Sequence, residues 1–231
     1  MMSSGVNGRV FAGETFPDRV STYENGGIQA ATRCLISLSV LTLRARLREA
    51  TLPAHARLEA SLDFLGEPVS SERIIWLLGR FHGFHATWEP ALKTVVPESV
   101  LRPRLKLSLL QHDLRRLGAD EEQLRDLPVC RAATALCQCG AAAAGALYVL
   151  EGSTLGGQII SRILKGNAWY PSEGLRYWNP YETNTGQRWK ETLAYLESLP
   201  TIWAEEAVDS AIGAFKLLES WLSPQVAEQD A

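Results

Sequence analysis

From Ala31 onward, apolar residues recur every three or four positions, which is the spacing of amphipathic α-helices. Runs that alternate apolar and polar residues, as strands do, are few. Residues 1–30 instead mix glycine, serine, asparagine and scattered charges without a period, which predicts a poorly ordered N-terminal extension before a helical domain at 31–231. We predict helices over these ranges: 36–61 (kinked or restarted at Pro53), 71–94, 98–117, 121–126, 130–165, 184–198 and 203–222.

Residues that start or stop helices support several of these limits. Ser70 or Ser71 can cap a helix start, and Asp120 can cap another. Gly118 can end the helix before Asp120, and Pro200 ends a later one. The pattern therefore predicts an all-α, single-domain bundle of packed helices.

Composition and charge narrow the function classes. The chain has 231 residues, of which 46% are hydrophobic, so it can bury a sizeable core. A net charge of -3 argues against nucleic acid or a membrane as partner, because both usually need a concentrated basic surface. The longest apolar-leaning stretch near the start, residues 34–43, is too short to span a bilayer and lies too far in for a secretory signal. We therefore predict a cytoplasmic protein.

Two other features are predicted to be structural. Residues 166–183 hold two prolines, two glycines and several aromatics, which predicts a packed connection between helices. Without CxxC spacing, reduced thiols are favoured over a disulfide framework or a zinc site. The cysteines are Cys34, Cys130, Cys137 and Cys139.

The segment LYVLEGSTLGGQIISRILKG, residues 147–166, has the pattern of an amphipathic helix with three glycines in its middle. Each glycine costs about 1 kcal/mol relative to alanine inside a helix. Gly152 and Gly156 are four apart, so they strip side chains from one face. Either another helix packs closely there, or a flat ligand lies against the exposed backbone. The glycine pattern alone leaves both interpretations open.

A second segment, RLREATLPAHARLEA at residues 46–60, carries candidate ligand chemistry. His55 and Glu59 are four apart, so the carboxylate can orient the imidazole. Arg48 precedes His55 by seven residues, about two turns, and lies on a similar side. One side of this helix then offers a nitrogen ligand and a cation. The alternative is that the histidine is a structural or surface residue.

Together, the two segments resemble the haem (heme) oxygenase family, and most closely its bacterial biliverdin-producing members that accompany bacterial phytochromes. The family's proximal pattern Thr-x-x-x-His is matched by Thr51 and His55. Its distal Gly-x-x-x-Gly-Gly pattern, with the glutamine that follows, is matched by Gly152, Gly156, Gly157 and Gln158. The resemblance extends from about residue 40 to residue 222.

This resemblance implies an all-α bundle with haem held between a proximal and a distal helix. His55 would be the axial ligand of the iron, and the distal glycines would face the oxygen-binding side. Haem would be both substrate and cofactor, and it would be cleaved with O2 to biliverdin, carbon monoxide and ferrous iron. The implied partners are an external electron donor, such as ferredoxin or a reductase, and a phytochrome that receives biliverdin.

Residues that would fix the anionic haem propionates follow from the same resemblance. It assigns Arg48 and Tyr148 to this task. On the later helix RWKETLAYLESLP it adds Lys190 and Arg188. Without the family, the cations would be interpreted as solvated surface residues and Tyr148 as a core ring.

One departure from the family pattern leaves open whether the protein is a catalyst or only binds haem. Ser153 stands where mammalian-type members have an aspartate that organises water for proton delivery. The predicted catalytic group is Gly152, Ser153 and Gly156, with water held by backbone groups and by the serine hydroxyl. A non-catalytic haem carrier or sensor is therefore a second hypothesis.

A third hypothesis is a related helical fold that serves a non-haem di-iron or thiamine-type reaction. It would need clustered Glu and His ligands or a cysteine nucleophile in the pocket, and the pattern supplies neither. His82 and His85 stand three apart in RFHGFHATWEP, and we predict core or surface roles for them rather than metal ligation.

Overall fold

The computed structural model describes residues 41–62 and 69–223, and these two ranges contain helices and no strand. The predicted all-α class is confirmed. The α-helices are α1 (Leu43–Leu62), α2 (Ser71–Leu92), α3 (Glu98–Leu101), α4 (Leu107–Arg116), α5 (Glu121–Arg125), α6 (Gly140–Leu164), α7 (Thr185–Glu197) and α8 (Ala204–Trp221). Short 3-10 helices lie at Arg102–Arg104, Arg131–Cys137, Glu182–Asn184 and Thr201–Trp203.

The predicted helix caps are confirmed. The Ser70 hydroxyl accepts a hydrogen bond from the Arg73 amide at 3.2 Å, which satisfies a free donor at the start of α2. Asp120 and Gln123 form a reciprocal capping box at α5. After α4 the chain turns at Gly118, whose φ of 100° lies in the left-handed region that glycine tolerates.

Three predicted helix limits are wrong. The helix predicted over 98–117 is divided into α3, a 3-10 turn and α4, because Pro103 lacks the amide that a continuous helix needs. The helix predicted over 130–165 is also divided, and its 3-10 part and α6 meet at an angle of 118°. The Cys139 side chain accepts from the Ala142 amide there and starts α6 afresh.

The third wrong limit concerns α1. Of the two alternatives predicted at Pro53, the restart is wrong, because the helix continues through this residue, while a kink there stays a prediction. The helix begins at Leu43, after Thr42, whose hydroxyl accepts from the Ala45 amide at 3.3 Å. The earlier part of the prediction, residues 36–40, lies outside the described residues, as do the N-terminal extension and Cys34.

Helix α8 organises the core, because it packs along both α1 and α6. Small residues bring α6 and α8 together: a Cβ on Gly145 would lie 2.0 Å from the carbonyl oxygen of Ala207. The connection between α6 and α7 is packed, as predicted, and buries Tyr177 and Trp178. The buried Asp113 carboxylate holds it by accepting from the Tyr177 amide at 2.7 Å. These contacts fix α1, α6 and α7 relative to one another.

No single helix in the described ranges is long and apolar enough to cross a membrane. By length and composition alone, the bent pair Arg131–Cys137 and Gly140–Leu164 passes the same test when taken together.

Candidate functional site

His55 lies on α1 with its side chain about half exposed (49%). Its Nδ1 is 3.3 Å from a carboxylate oxygen of Glu59, one turn later, so the two side chains meet as their spacing predicts. The imidazole also contacts Phe215 of α8 edge to face, with ring centroids 5.6 Å apart. Among the described residues, none hydrogen-bonds Nε2. The ring is therefore held from two sides while one nitrogen remains accessible to a ligand.

Helices α1 and α6 approach each other at Thr51 and Tyr148. Burial raises the pKa of the Tyr148 hydroxyl, while the nearby Thr51 hydroxyl and the positive charges of Arg48 and Arg44 act in the opposite direction. The positive charge of Arg48 therefore acts on the Tyr148 hydroxyl, and both residues were predicted to bind propionates. Arg48 also lines a surface cavity of about 520 Å³, together with Thr42, Arg44, Ala45, Glu49 and Leu52.

The face shared by Gly152 and Gly156 on α6 is bare at one end only. A Cβ on Gly156 would meet nothing within 4 Å. A Cβ on Gly152 would lie 3.5 Å from the Trp189 ring of α7, an ordinary van der Waals distance. The Trp189 ring also packs on Tyr148, with centroids 5.4 Å apart. The backbone at Gly156 is therefore open, while that at Gly152 lies beneath an indole.

Gly157 has a different environment. A Cβ there would lie 2.4 Å from the carbonyl oxygen of Trp178, which no real contact of this kind allows. Gly157 is therefore closely packed, but against the connection that follows α6 and not against another helix. Its neighbour Gln158 donates to the Glu182 carbonyl and to the Thr185 hydroxyl, both at 3.0 Å, and so ties α6 to the start of α7.

Ser153 is exposed on α6, and its hydroxyl donates to the Leu150 carbonyl at 2.9 Å. The hydroxyl proton is therefore used in a hydrogen bond within the serine's own helix. The oxygen lone pairs remain able to accept from water.

Sequence reasoning missed the buried carboxylate beside Gly152. Glu151 is 1% exposed, and its carboxylate pairs with Lys106 and lies 3.5 Å from the Arg104 guanidinium. The Tyr181 hydroxyl donates to it at 2.9 Å. Arg104 continues to α7, where its Nε donates to the Thr192 hydroxyl at 3.0 Å. This cluster joins α6 to α7 through paired buried charges, which the desolvation cost of a lone carboxylate requires.

Lys190 and Arg188, the basic residues of α7 that were predicted to bind propionates, make no polar contact with α1 among the described residues. Lys190 is exposed, and the Arg188 guanidinium lies 2.9 Å from a carboxylate oxygen of Glu191.

His82 and His85 are buried in α2, as one of the predicted alternatives had it. Burial lowers the pKa of both imidazoles. In the described part of the chain, no group of three or more His, Cys, Asp or Glu side chains could hold a metal ion.

Comparison with known proteins decides the family. The sequence profile of the heme oxygenase family matches residues 41–224, most of the chain. This chain belongs to the haem oxygenase family. Haem oxygenases are oxidoreductases that degrade haem, and the all-helical architecture described above is theirs.

Solved haem oxygenase structures share the fold. Heme oxygenase-1 from the cyanobacterium Synechocystis sp. PCC6803, in complex with heme, aligns with a TM-score of 0.65 at 16% identity, over 82% of this chain and 94% of that one. Heme oxygenase from Leptospira interrogans aligns with a TM-score of 0.66 at 17% identity, over 79% of this chain and 99% of that one. The NO- and CO-bound heme oxygenase from Neisseria meningitidis aligns with a TM-score of 0.59 at 25% identity, over 79% of this chain and 91% of that one. No curated protein sequence matches the chain.

The residues present in this haem oxygenase fit a haem. A porphyrin supplies four nitrogen ligands itself, so the iron needs one axial side chain rather than a ligand cluster. His55 offers the Nε2 of a half-exposed imidazole, and the open backbone at Gly156 can accept a flat ring. The arginines near Tyr148 offer positive charge for two carboxylates.

Proposed function

We propose that this haem oxygenase cleaves haem to biliverdin, carbon monoxide and ferrous iron, using O2 and electrons from an external donor. The observation that carries the proposal is the His55 imidazole, which Glu59 and Phe215 hold while its Nε2 has no partner among the described residues. Bound haem would supply both the iron that activates O2 and the carbon that is oxidised. The protein's part is to bind, orient and protonate.

His55 would bind the iron through Nε2. The Glu59 carboxylate, 3.3 Å from Nδ1, would favour a proton on that nitrogen and so leave the Nε2 lone pair free. Phe215 limits rotation of the ring from the opposite side. The carboxylate therefore acts on the iron only through the imidazole.

The propionates would be held at the end of the site where α1 meets α6. The positive charge of Arg48 acts on the Tyr148 hydroxyl there, and a charge-assisted contact is stronger than a neutral one. Lys190 and Arg188 of α7 are proposed as additional contacts. Arg188 would have to leave or share its ion pair with Glu191.

The distal side would be formed by Gly152, Ser153 and Gly156. Ser153 already donates its proton to Leu150, so it would act as an acceptor that holds a water molecule. Backbone groups at the glycines would hold others. Gly157 serves this region indirectly, because it packs α6 against Trp178.

The reaction also requires partners. Cleavage consumes electrons that amino-acid side chains do not store, so a ferredoxin or a reductase must deliver them. By resemblance to bacterial members that accompany phytochromes, biliverdin would pass to a phytochrome. A cytoplasmic location belongs to the same proposal.

Incubation of the purified protein with haem, O2 and a reducing system tests the activity. We expect the Soret band to disappear and a biliverdin band to replace it. A stable oxygenated complex would instead support the haem carrier. This hypothesis is favoured by the Ser153 hydroxyl, whose proton is donated to the Leu150 carbonyl and not to a ligand. Failure of haem to bind at all would contradict both hypotheses.

The ligand assignment is tested with His55→Ala. We expect the variant to lose the axial-nitrogen signature in the spectrum of its haem complex, and added imidazole to restore it. His112→Ala is the matched control, because it removes a partly exposed imidazole from α4. An unchanged spectrum in His55→Ala would reject this residue as the ligand.

A further inference from the structure

Trp189 covers one half of the bare face of α6. The Cη2 and Cζ3 atoms of its six-membered ring lie 3.5 and 3.8 Å from the position of a Cβ on Gly152. One turn further along the same face, the space beside Gly156 is open. The glycine pair therefore presents an asymmetric surface, with an indole wall at one end and free backbone at the other.

The wall is fixed to the helix that it covers. Trp189 packs on the Tyr148 ring of α6. One turn after Trp189, the fully buried Thr192 accepts from Arg104, and Arg104 lies 3.5 Å from the Glu151 carboxylate, next to Gly152. Because the Arg104 guanidinium is almost completely buried, separating α7 from α6 would leave its Nε donor without the Thr192 acceptor inside the protein. The backbone of α7 therefore holds the indole in place, and only side-chain rotation could uncover Gly152.

We propose that Trp189 is a specificity-determining residue that sets the in-plane position of a porphyrin on the distal helix. Its ring limits how far the macrocycle can extend beyond Gly152 and directs it towards the open backbone at Gly156. This inference rests on the proposed function, since it requires haem to lie between α1 and α6. A rigid aromatic edge suits the task, because a tryptophan offers a large contact area with few rotatable bonds.

The position of bound haem can be read without turnover. In the ferric, cyanide-bound complex, the hyperfine-shifted proton resonances of the haem methyl groups report the rotation of the ring in its plane. We expect Trp189→Ala to redistribute these shifts and to increase the share of haem bound in the reversed orientation. Trp189→Phe keeps an aromatic ring but removes the atoms that reach Gly152, so we expect a smaller redistribution.

Trp203→Phe is the matched control. Trp203 also lies over a glycine of α6, Gly140, which is the first residue of the helix. The methyl pattern should not change in this variant. Circular dichroism establishes that each variant is folded, and if Trp189→Ala is not, the Phe variant decides.

Three results would overturn the proposal. The methyl pattern could remain that of the wild type in the folded Trp189 variants, which would show that the indole moves away when haem binds. Trp203→Phe could shift the pattern as much as Trp189→Ala, which would show that the effect is not local. If the wild-type protein does not bind haem, the proposed function fails as well, so the two failures are distinguishable.

Discussion

At the scale of single residues, the neighbours Gly156 and Gly157 have opposite surroundings. A Cβ on Gly156 meets open space, while a Cβ on Gly157 would overlap the Trp178 carbonyl. We expect Gly156→Ala to raise the free energy of unfolding of the haem-free protein by up to about 1 kcal/mol, through helix propensity. Gly157→Ala should lower it by about 1–3 kcal/mol, because the backbone must shift. Urea denaturation of both variants measures the difference, and equal changes would contradict it.

The two glycines also show what a sequence pattern can and cannot predict. Spacing along a helix determines which residues share a face, so a bare patch on α6 was predictable. Which face meets another segment depends on the path of the chain after α6, and the packing of Trp178 on Gly157 has no local signal. Trp189 was missed for the same reason. Its position over Gly152 depends on how α7 is placed against α6, not on spacing within α7.

Glu151 could have been found from the sequence. It is a lone carboxylate in the otherwise apolar and small-residue run from Gly140 to Gly152. Such a residue is almost never fully buried without a partner, so its presence predicts a cation from another element. The identity of that cation, Lys106, was not predictable, because 45 residues separate the two in sequence.

At the scale of helices, α2 and α4 are joined by a buried polar pair. The Glu89 carboxylate of α2 accepts from the amides of Lys106 and Leu107, at 2.6 and 3.0 Å, and so caps α4 from outside. It also lies 2.9 Å from Nδ1 of His85, which is fully buried. The pattern predicted the helices and their own caps, but this cap comes from a residue 17 positions earlier.

This junction makes stability depend on pH. Burial lowers the pKa of His85 in the folded protein, although the bond with Glu89 opposes the shift. The unfolded chain therefore takes up a proton below about pH 6.5 while the folded chain resists it. The free energy of unfolding should then be fully retained above that pH and fall as the pH drops, by at most about 1.4 kcal/mol per unit for one histidine.

The substitution His85→Gln should reduce this dependence between about pH 6.5 and 5, as denaturation at several pH values would show. The slope that remains belongs to His82, whose pKa is also lowered by burial. Phe84→Leu is the control, because it disturbs an equally buried neighbour without removing a titrating group. It should lower stability at every pH and keep the slope. A wild-type slope that persists in His85→Gln would contradict the assignment to this residue.

At the scale of the whole molecule, the proposed site depends on two helices, α1 and α6, that both pack against α8. Helix α1 supplies His55 and Arg48, helix α6 supplies the glycines, and both pack along α8. The sequence predicted that two distant segments must meet, but only because they resemble a family together. Periodicity alone does not determine which helices are neighbours in an all-α bundle.

A ligand that bridges α1 and α6 should stabilise the whole molecule. Haem at 100 times its dissociation constant should add about 2.7 kcal/mol to the free energy of unfolding, because it binds only the folded chain. For a domain of this length that corresponds to a rise in Tm of about 5–11 °C. Iron-free protoporphyrin at the same concentration should give a smaller rise in Tm, because it binds more weakly. It can contact Arg48 and the α6 backbone but cannot bond to His55.

His55→Ala separates the two contributions in the same thermal measurement. With this variant, haem and protoporphyrin should raise Tm equally, because the imidazole–iron bond is absent from both complexes. A difference that remained between the two porphyrins would assign the iron to another side chain. No rise with either porphyrin would mean that the macrocycle does not bridge the two helices, because any ligand selective for the folded state must raise Tm.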